Sequence, residues 1–299
     1  MSYSRPSTRG SVARMRLHVH EWGDPEAPTL VCLHGVSAHG RRFRKLAEER
    51  LAGRFRVLAP DLRGHGRSGY EPPWDIGTHL DDVLETLAGC GEESAAWLVH
   101  SFGGRLVLEL AARVPERVSA AVLLDPAIQI LPHVGFDFAQ DAALDHSFAS
   151  VDEAIESRLA DGAPTPREFA EEEAREHLVA SPDGRLRWRF CRAAVVTAYS
   201  ELCTEPPPPA VICVPALLVH AQWFGLVREE QLEEYAHVLG DRLELVAVPG
   251  GHIVYWDAYE ETATAIAKFL MRHGDVFPPV TVSPLRCTQG GTQGGPPGG

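Results

Sequence analysis

Trp97-Leu98-Val99-His100-Ser101-Phe102-Gly103-Gly104-Arg105 is the stretch whose reading decides the fold. An apolar run rises into a single serine, two glycines follow at once, and a helical pattern continues to about Val114. The order is strand, sharp turn, helix. A serine at such a bend is pushed out of the backbone, with the first amides of the next helix pointing toward it, which is the geometry of a nucleophile elbow. The competing reading is a buried Ser-Gly-Gly helix start in which the serine only caps the helix.

The pattern repeats on both sides of the elbow. Thr29-Leu30-Val31-Cys32-Leu33 and Val118 to Leu124 are continuously apolar, as expected of strands covered on both faces. Phe55 to Pro60, Ala216 to His220 and Leu243 to Val248 read as further strands. Helical patterns over Arg41–Leu51, His79–Leu87, Glu229–Leu239 and Tyr259–Arg272 alternate with them. Strand and helix in this rhythm predict a mostly parallel sheet flanked by helices, an α/β fold. Met15 to Trp22 alternates with period two, the pattern of a half-buried antiparallel strand. Between 128 and 210 the rhythm stops: helical stretches at Val151–Ala160, Pro166–Ala180 and Ala193–Leu202 end on Pro206-Pro207-Pro208-Pro209, a stiff linker. The expected organisation is therefore a core of residues 14–127 and 211–273 with an inserted helical cap at 128–210. Residues 1–13 are expected to be flexible and 274–299, rich in Pro, Gly, Thr and Gln, disordered.

With 41 acidic against 28 basic residues and a formal charge of −13, nucleic acid and anionic membrane surfaces are poor partners. A small-molecule substrate suits the balance better. The six cysteines are scattered, with no CxxC pair and no zinc-type spacing, so neither a metal nor a cofactor is expected. No apolar run is long enough to span a membrane, and the polar start lacks a secretory signal; a cytoplasmic protein is the expectation. Nothing in the sequence speaks to oligomeric state.

The elbow resembles that of the α/β-hydrolase superfamily, usually small-x-Ser-x-Gly, with one departure: Val99 stands where a small residue is usual, so local adjustment is expected. Asp61-Leu62-Arg63-Gly64-His65-Gly66-Arg67-Ser68 resembles a loop following an early strand in many members, and its flanking glycines point to a structural turn. A serine nucleophile needs a base, and the base needs a group that fixes its tautomer. His252, after Pro249-Gly250-Gly251 at the end of the last strand, matches the superfamily's catalytic histidine. The oxyanion donors would be the backbone N–H groups of Val36, just past His34-Gly35, and of Phe102. The commoner position of the acid falls on Phe224, which cannot orient an imidazole. The alternative position, at the end of the strand after the nucleophile helix, holds Asp125; Asp257 is a poorer candidate, expected at the start of the next helix. His34, His100, Phe136, Trp188, Trp223 and Phe224 are candidates for lining a pocket over Ser101, while Glu171-Glu172-Glu173 reads as a solvated face.

Together these imply a serine-dependent hydrolase, cleaving an ester-like bond of a small apolar substrate through an acyl-enzyme, as a carboxylesterase or lipase does. Serine at the elbow argues against dehalogenase and epoxide hydrolase chemistry, which the resembling families run with an aspartate there. C–C bond hydrolysis, lactone opening and amide cleavage stay open, as does a non-catalytic small-molecule-binding homologue.

Overall fold

The computed structural model describes residues 14–160 and 164–273; the expectations for 1–13 and 274–299 lie outside them. Seven strands, β1 (Val19–Trp22), β2 (Thr29–Leu33), β3 (Arg56–Pro60), β4 (Ala95–His100), β5 (Val118–Leu124), β8 (Ala216–Ala221) and β9 (Leu243–Val248), form one sheet in the order β1-β3-β2-β4-β5-β8-β9. Only the β1 pairing with β3 is antiparallel; every other neighbour is parallel. The elbow strand β4 thus occupies the middle of the sheet, where its side chains are covered on both faces.

Period two sorts those side chains into two apolar layers. Val31, Leu33, Trp97 and Val99 belong to one, with the helix that follows the elbow. Leu30, Cys32, Ala96 and Leu98 belong to the other, with Phe43, Tyr255 and Phe269. Val99 pairs in regular register with Leu33 and Leu123, and the one register shift in the β4–β5 ladder lies at Ala95/Ala96. The ladder therefore accommodates the β-branched residue at this point without a bulge.

The helices are α1 (Arg44–Leu46) inside a helical stretch that runs from Gly40 to Leu51, α2 (Ile76–Gly89), α3 (Phe102–Arg113), α4 (Pro132–Ala143), α5 (Val151–Leu159), α6 (Arg167–His177), α7 (Arg192–Leu202), α8 (Glu229–Leu239), α9 (Val254–Asp257) and α10 (Tyr259–Arg272). Asp75 caps α2 by accepting from the Thr78 N–H. Helices α4 to α7 and a small antiparallel sheet of β6 (Leu178–Ala180) and β7 (Leu186–Trp188) lie between β5 and β8 in the chain.

Two elements differ from the sequence pattern. The first strand covers only Val19–Trp22, because Met15, Leu17 and His18 give their N–H groups to the side chains of Asp82, Thr86 and Ser68 instead of to a strand. The helix expected over Pro166–Ala180 ends at His177, and Leu178–Ala180 pairs with Leu186–Trp188. Of the Glu171-Glu172-Glu173 run only Glu171 is solvated as expected. Glu173 is buried against Arg42 and His39, and Glu172 meets Arg44. These contacts fasten α6 to the helical stretch after β2. A second tie starts from buried Arg105 on α3, whose guanidinium donates to Ile128 O at the start of the insertion and to Thr204 and Glu205 at its end.

Candidate active site

Three strand ends meet at the C-terminal edge of the sheet, where open α/β sheets place ligands. Ser101 follows β4 with φ 52° and ψ −118°, a backbone that non-glycine residues rarely adopt. The turn is held by the Ser101 N–H on Leu124 O at 3.2 Å and by Ser101 O, which accepts from Gly104 at 2.8 Å and Ala127 at 2.9 Å. Two glycines are required by close approach. A Cβ at Gly103 would lie 2.6 Å from the Leu33 carbonyl oxygen, and one at Gly35 would lie 2.7 Å from the Ser101 Cβ.

Asp125 follows β5, also with positive φ (38°), and is fully buried. Its Oδ1 accepts the Ala221 N–H at 3.0 Å, and its Oδ2 accepts from His252 Nδ1 at 2.6 Å. The end of β8 supplies that amide. His252 follows β9. Its ring stacks on Phe224 with centroids 4.8 Å apart and lies 4.6 Å from the His100 ring. His100 Nε2 meets the His252 carbonyl oxygen at 3.0 Å. Burial, reinforced by neighbouring His252, holds His100 well below the usual imidazole range. A neutral His100 then donates from Nε2 and braces the loop that carries His252.

Ser101, His100, His252, Val36, Trp223 and Phe224 all line one cavity of about 430 Å³. The N–H groups of Val36 and Phe102 form no hydrogen bond among the described residues. Phe102 is buried and Val36 half-buried in the cavity wall, and a backbone N–H without a partner is rare because it costs free energy. Phe102 follows Ser101, and Val36 follows Gly35, which packs against the Ser101 side chain; donors so placed suit an oxyanion, were one to form at that serine.

Three expected lining residues are elsewhere. His34 is buried beneath the loop, its Nδ1 on Gly35 O at 2.8 Å and its Nε2 accepting the Leu62 N–H at 2.9 Å; burial, then neighbouring His65, keeps it neutral. It is a brace for the Val36 loop. Phe136 is 60% exposed on the outer face of α4, and Phe138 takes the place in the wall. Trp188 packs edge-on to Phe148 and under the Arg158 guanidinium, beside a second cavity. The Asp61–Ser68 loop is structural as expected: Asp61 accepts the N–H groups of Gly40 and Arg67, and Arg63 pairs with buried Asp82.

One end of the cavity carries polar residues that sequence reasoning did not assign to it. Arg42 is bidentate to Glu173, Arg158 reaches the same carboxylate at 3.4 Å, and Thr165 donates to Asp257 Oδ1 at 2.5 Å. Asp257 closes α9 rather than opening the next helix, and its Oδ2 accepts the Ile253 N–H at 3.2 Å. Burial pushes its carboxyl above the ordinary carboxylate range. His252 does not hydrogen-bond to it among the described residues; the imidazole's carboxylate is Asp125.

Comparison with known proteins gives the same fold. The family model described as alpha/beta hydrolase fold matches residues 28–259. Lipase LipV of Mycobacterium tuberculosis is 33% identical over 261 residues, covering 85% of this chain and 97% of its own. The pimeloyl-[acyl-carrier protein] methyl ester esterase of Methylococcus capsulatus is 30% identical over 226 residues, covering 75% and 80%. The crystal structure of E-2-(acetamidomethylene)succinate hydrolase superposes with a TM-score of 0.77 at 25% identity, covering 86% of this chain and 96% of that one. No helix among the described residues is long and apolar enough to cross a membrane.

Proposed function

We propose that this chain, which belongs to the α/β-hydrolase family, is a serine hydrolase that cleaves carboxylic esters or lactones through an acyl-enzyme. The observation that carries the reading is the 2.6 Å bond between His252 Nδ1 and buried Asp125, in a cavity shared with Ser101. A carboxylate acceptor fixes the proton on Nδ1, leaving Nε2 as the base. Relatives whose names specify a lipase and a methyl ester esterase support the ester bond.

In this mechanism Ser101 Oγ attacks the acyl carbon as His252 Nε2 takes its proton. Asp125 stabilises the imidazolium, and the N–H groups of Val36 and Phe102 hold the oxygen as it gains charge. His252 then returns the proton to the leaving alcohol. Water, activated by the same imidazole, attacks the acyl-enzyme and regenerates Ser101. Phe224, stacked on the imidazole, limits its swing and shields it from solvent. The inserted helices over the site act as the cap.

Arg42 and Arg158 in the wall favour a second reading of the substrate, in which its polar part is acidic. The relative whose name specifies a succinate derivative is in keeping with it. Purified protein should hydrolyse p-nitrophenyl butanoate and lose turnover on Ser101→Ala. A methyl hemiester of a dicarboxylic acid tests the second reading. No turnover of either, nor of a simple lactone, would refute ester chemistry.

A further inference from the structure

A second cavity of about 210 Å³ adjoins the first, and both have Ser37, Phe138 and Tyr199 in their walls. The Phe138 and Tyr199 rings, with centroids 5.3 Å apart and tilted 35°, form the partition. Beyond them the wall is mixed, with Leu144, Trp188, Phe190 and Val195 supplying its apolar part. The charged groups of the wall, Asp141, Asp145, His146, Arg187 and Arg192, pair among themselves or with Asp183. Arg187 is bonded to Asp145 and Asp183, Arg192 lies 3.8 Å from Asp145, and His146 lies 3.3 Å from Asp141. With the carboxylates at least matching the guanidinium groups, this part of the wall offers no net attraction to an anionic end group.

The geometry points to this second cavity as an acyl-chain subsite for a medium-length, unbranched, uncharged acyl group. The inference rests on the ester hydrolase reading. In that chemistry His252 delivers a proton to the leaving alcohol, so the alcohol lies on the histidine's side. There the wall is made by Ile253, Thr165 and Asp257, none of which lines the second cavity. The second cavity instead opens off Ser37, the neighbour of Val36, whose amide faces the acyl oxygen. An acyl chain extending away from the alcohol passes Ser37 and meets the Phe138–Tyr199 partition. Ser37 itself has φ 55°, a conformation that turns the chain sharply where the two cavities meet. The substrate class that follows is an ester joining an apolar acyl chain to a small polar alcohol.

The test uses two substitutions outside the catalytic groups. Leu144 is 59% exposed, so Leu144→Trp fills the cavity from its rim without disturbing the core, and Phe138→Ala removes half of the partition. With p-nitrophenyl butanoate, octanoate and dodecanoate, the wild-type kcat/KM should rise by roughly fourfold for each methylene that enters the subsite. Leu144→Trp should leave butanoate within about twofold and lose about tenfold or more on octanoate, the loss of some two methylene contacts. Phe138→Ala should move the optimum to longer chains. A Leu144→Trp profile parallel to wild type at every length would overturn the inference. Binding of octan-1-ol to the Ser101→Ala protein, followed by calorimetry with and without Leu144→Trp, reads the subsite without turnover. If no ester is cleaved, the functional reading fails; about tenfold weaker octanol binding in the Leu144→Trp protein still supports an apolar subsite, and equal binding refutes it.

Discussion

Replacing Asp125 by asparagine tests how the imidazole is held, and the hydrogen bonds around the site set the size of the effect. The carboxylate is pinned from both sides, by the Ala221 N–H on Oδ1 and by His252 Nδ1 on Oδ2. A carboxamide in this place keeps its oxygen toward Ala221 and turns its NH2 toward His252. That donor drives the imidazole proton to Nε2, the nitrogen that must act as base. The flipped amide would restore the tautomer but set NH2 against the Ala221 N–H. Leaving that buried donor unpaired costs about 1–3 kcal/mol, so the competent form is reduced roughly 5- to 150-fold. Loss of the negative charge opposite the imidazolium lowers turnover further, and the two together approach the ~10⁴ seen for the same change in a serine protease. Steady-state kcat on p-nitrophenyl butanoate reads the effect, and Tm verifies the fold. An Asp125→Asn protein that stays folded and keeps more than about a tenth of wild-type kcat, a barrier change under ~1.4 kcal/mol, would refute the reasoning. Asp257→Asn removes no partner of His252 and should cost far less.

Gly103→Ala drives a Cβ to 2.6 Å from the Leu33 carbonyl oxygen, which the sheet cannot yield. We expect a loss of about 1–3 kcal/mol, read as a lower Tm or denaturant midpoint; an unchanged midpoint would contradict the close approach. Glu173→Gln removes the one charge that Arg42, His39 and Arg158 share in a buried setting, and breaking such a pair costs about 3–5 kcal/mol. Glu168→Gln, on the exposed pair with Lys45, should cost under about 1 kcal/mol, and equal effects would sink the distinction. Burial lowers the pKa of His34, His100 and His177, that of His65 to about 4 and that of His79 to about 3. For a base depressed by folding, the unfolded chain takes up protons first, so stability is intact above about pH 6.5 and lost as pH falls below it. Tm should therefore decline from pH 6.5 toward pH 4, and a flat Tm across that window would contradict the buried neutral imidazoles.

The sheet, and the placing of Ser101, Asp125 and His252 at strand ends, were legible in the sequence because continuous apolar runs and the family resemblance carry them. Continuous apolar runs mark β2, β4 and β5 as strands covered on both faces, and the chain order Ser101, Asp125, His252 places each group at a strand end. What escaped was set by packing across the chain. Phe136 and Phe138 sit two residues apart on α4 and cannot share a helix face, and only the partner at Tyr199 settles which one turns inward. Glu171, Glu172 and Glu173 read alike, yet the last is buried because Arg42 and His39 meet it from 131 and 134 residues away. His34 carries the residue type of a site group but spends both ring nitrogens on backbone. Asp257 showed one local sign, its spacing of four from Ile253, whose N–H it accepts.

The central claim is that Ser101 is an activated nucleophile, and covalent labelling tests it most directly. A fluorophosphonate added to the full chain should modify one site per molecule. Peptide mass analysis should place the label on Ser101, and Ser101→Ala should abolish it. The rate of labelling should fall by orders of magnitude in Asp125→Asn, because the same imidazole must take the serine proton. An unlabelled wild-type protein, or a label that persists in Ser101→Ala, would contradict the account.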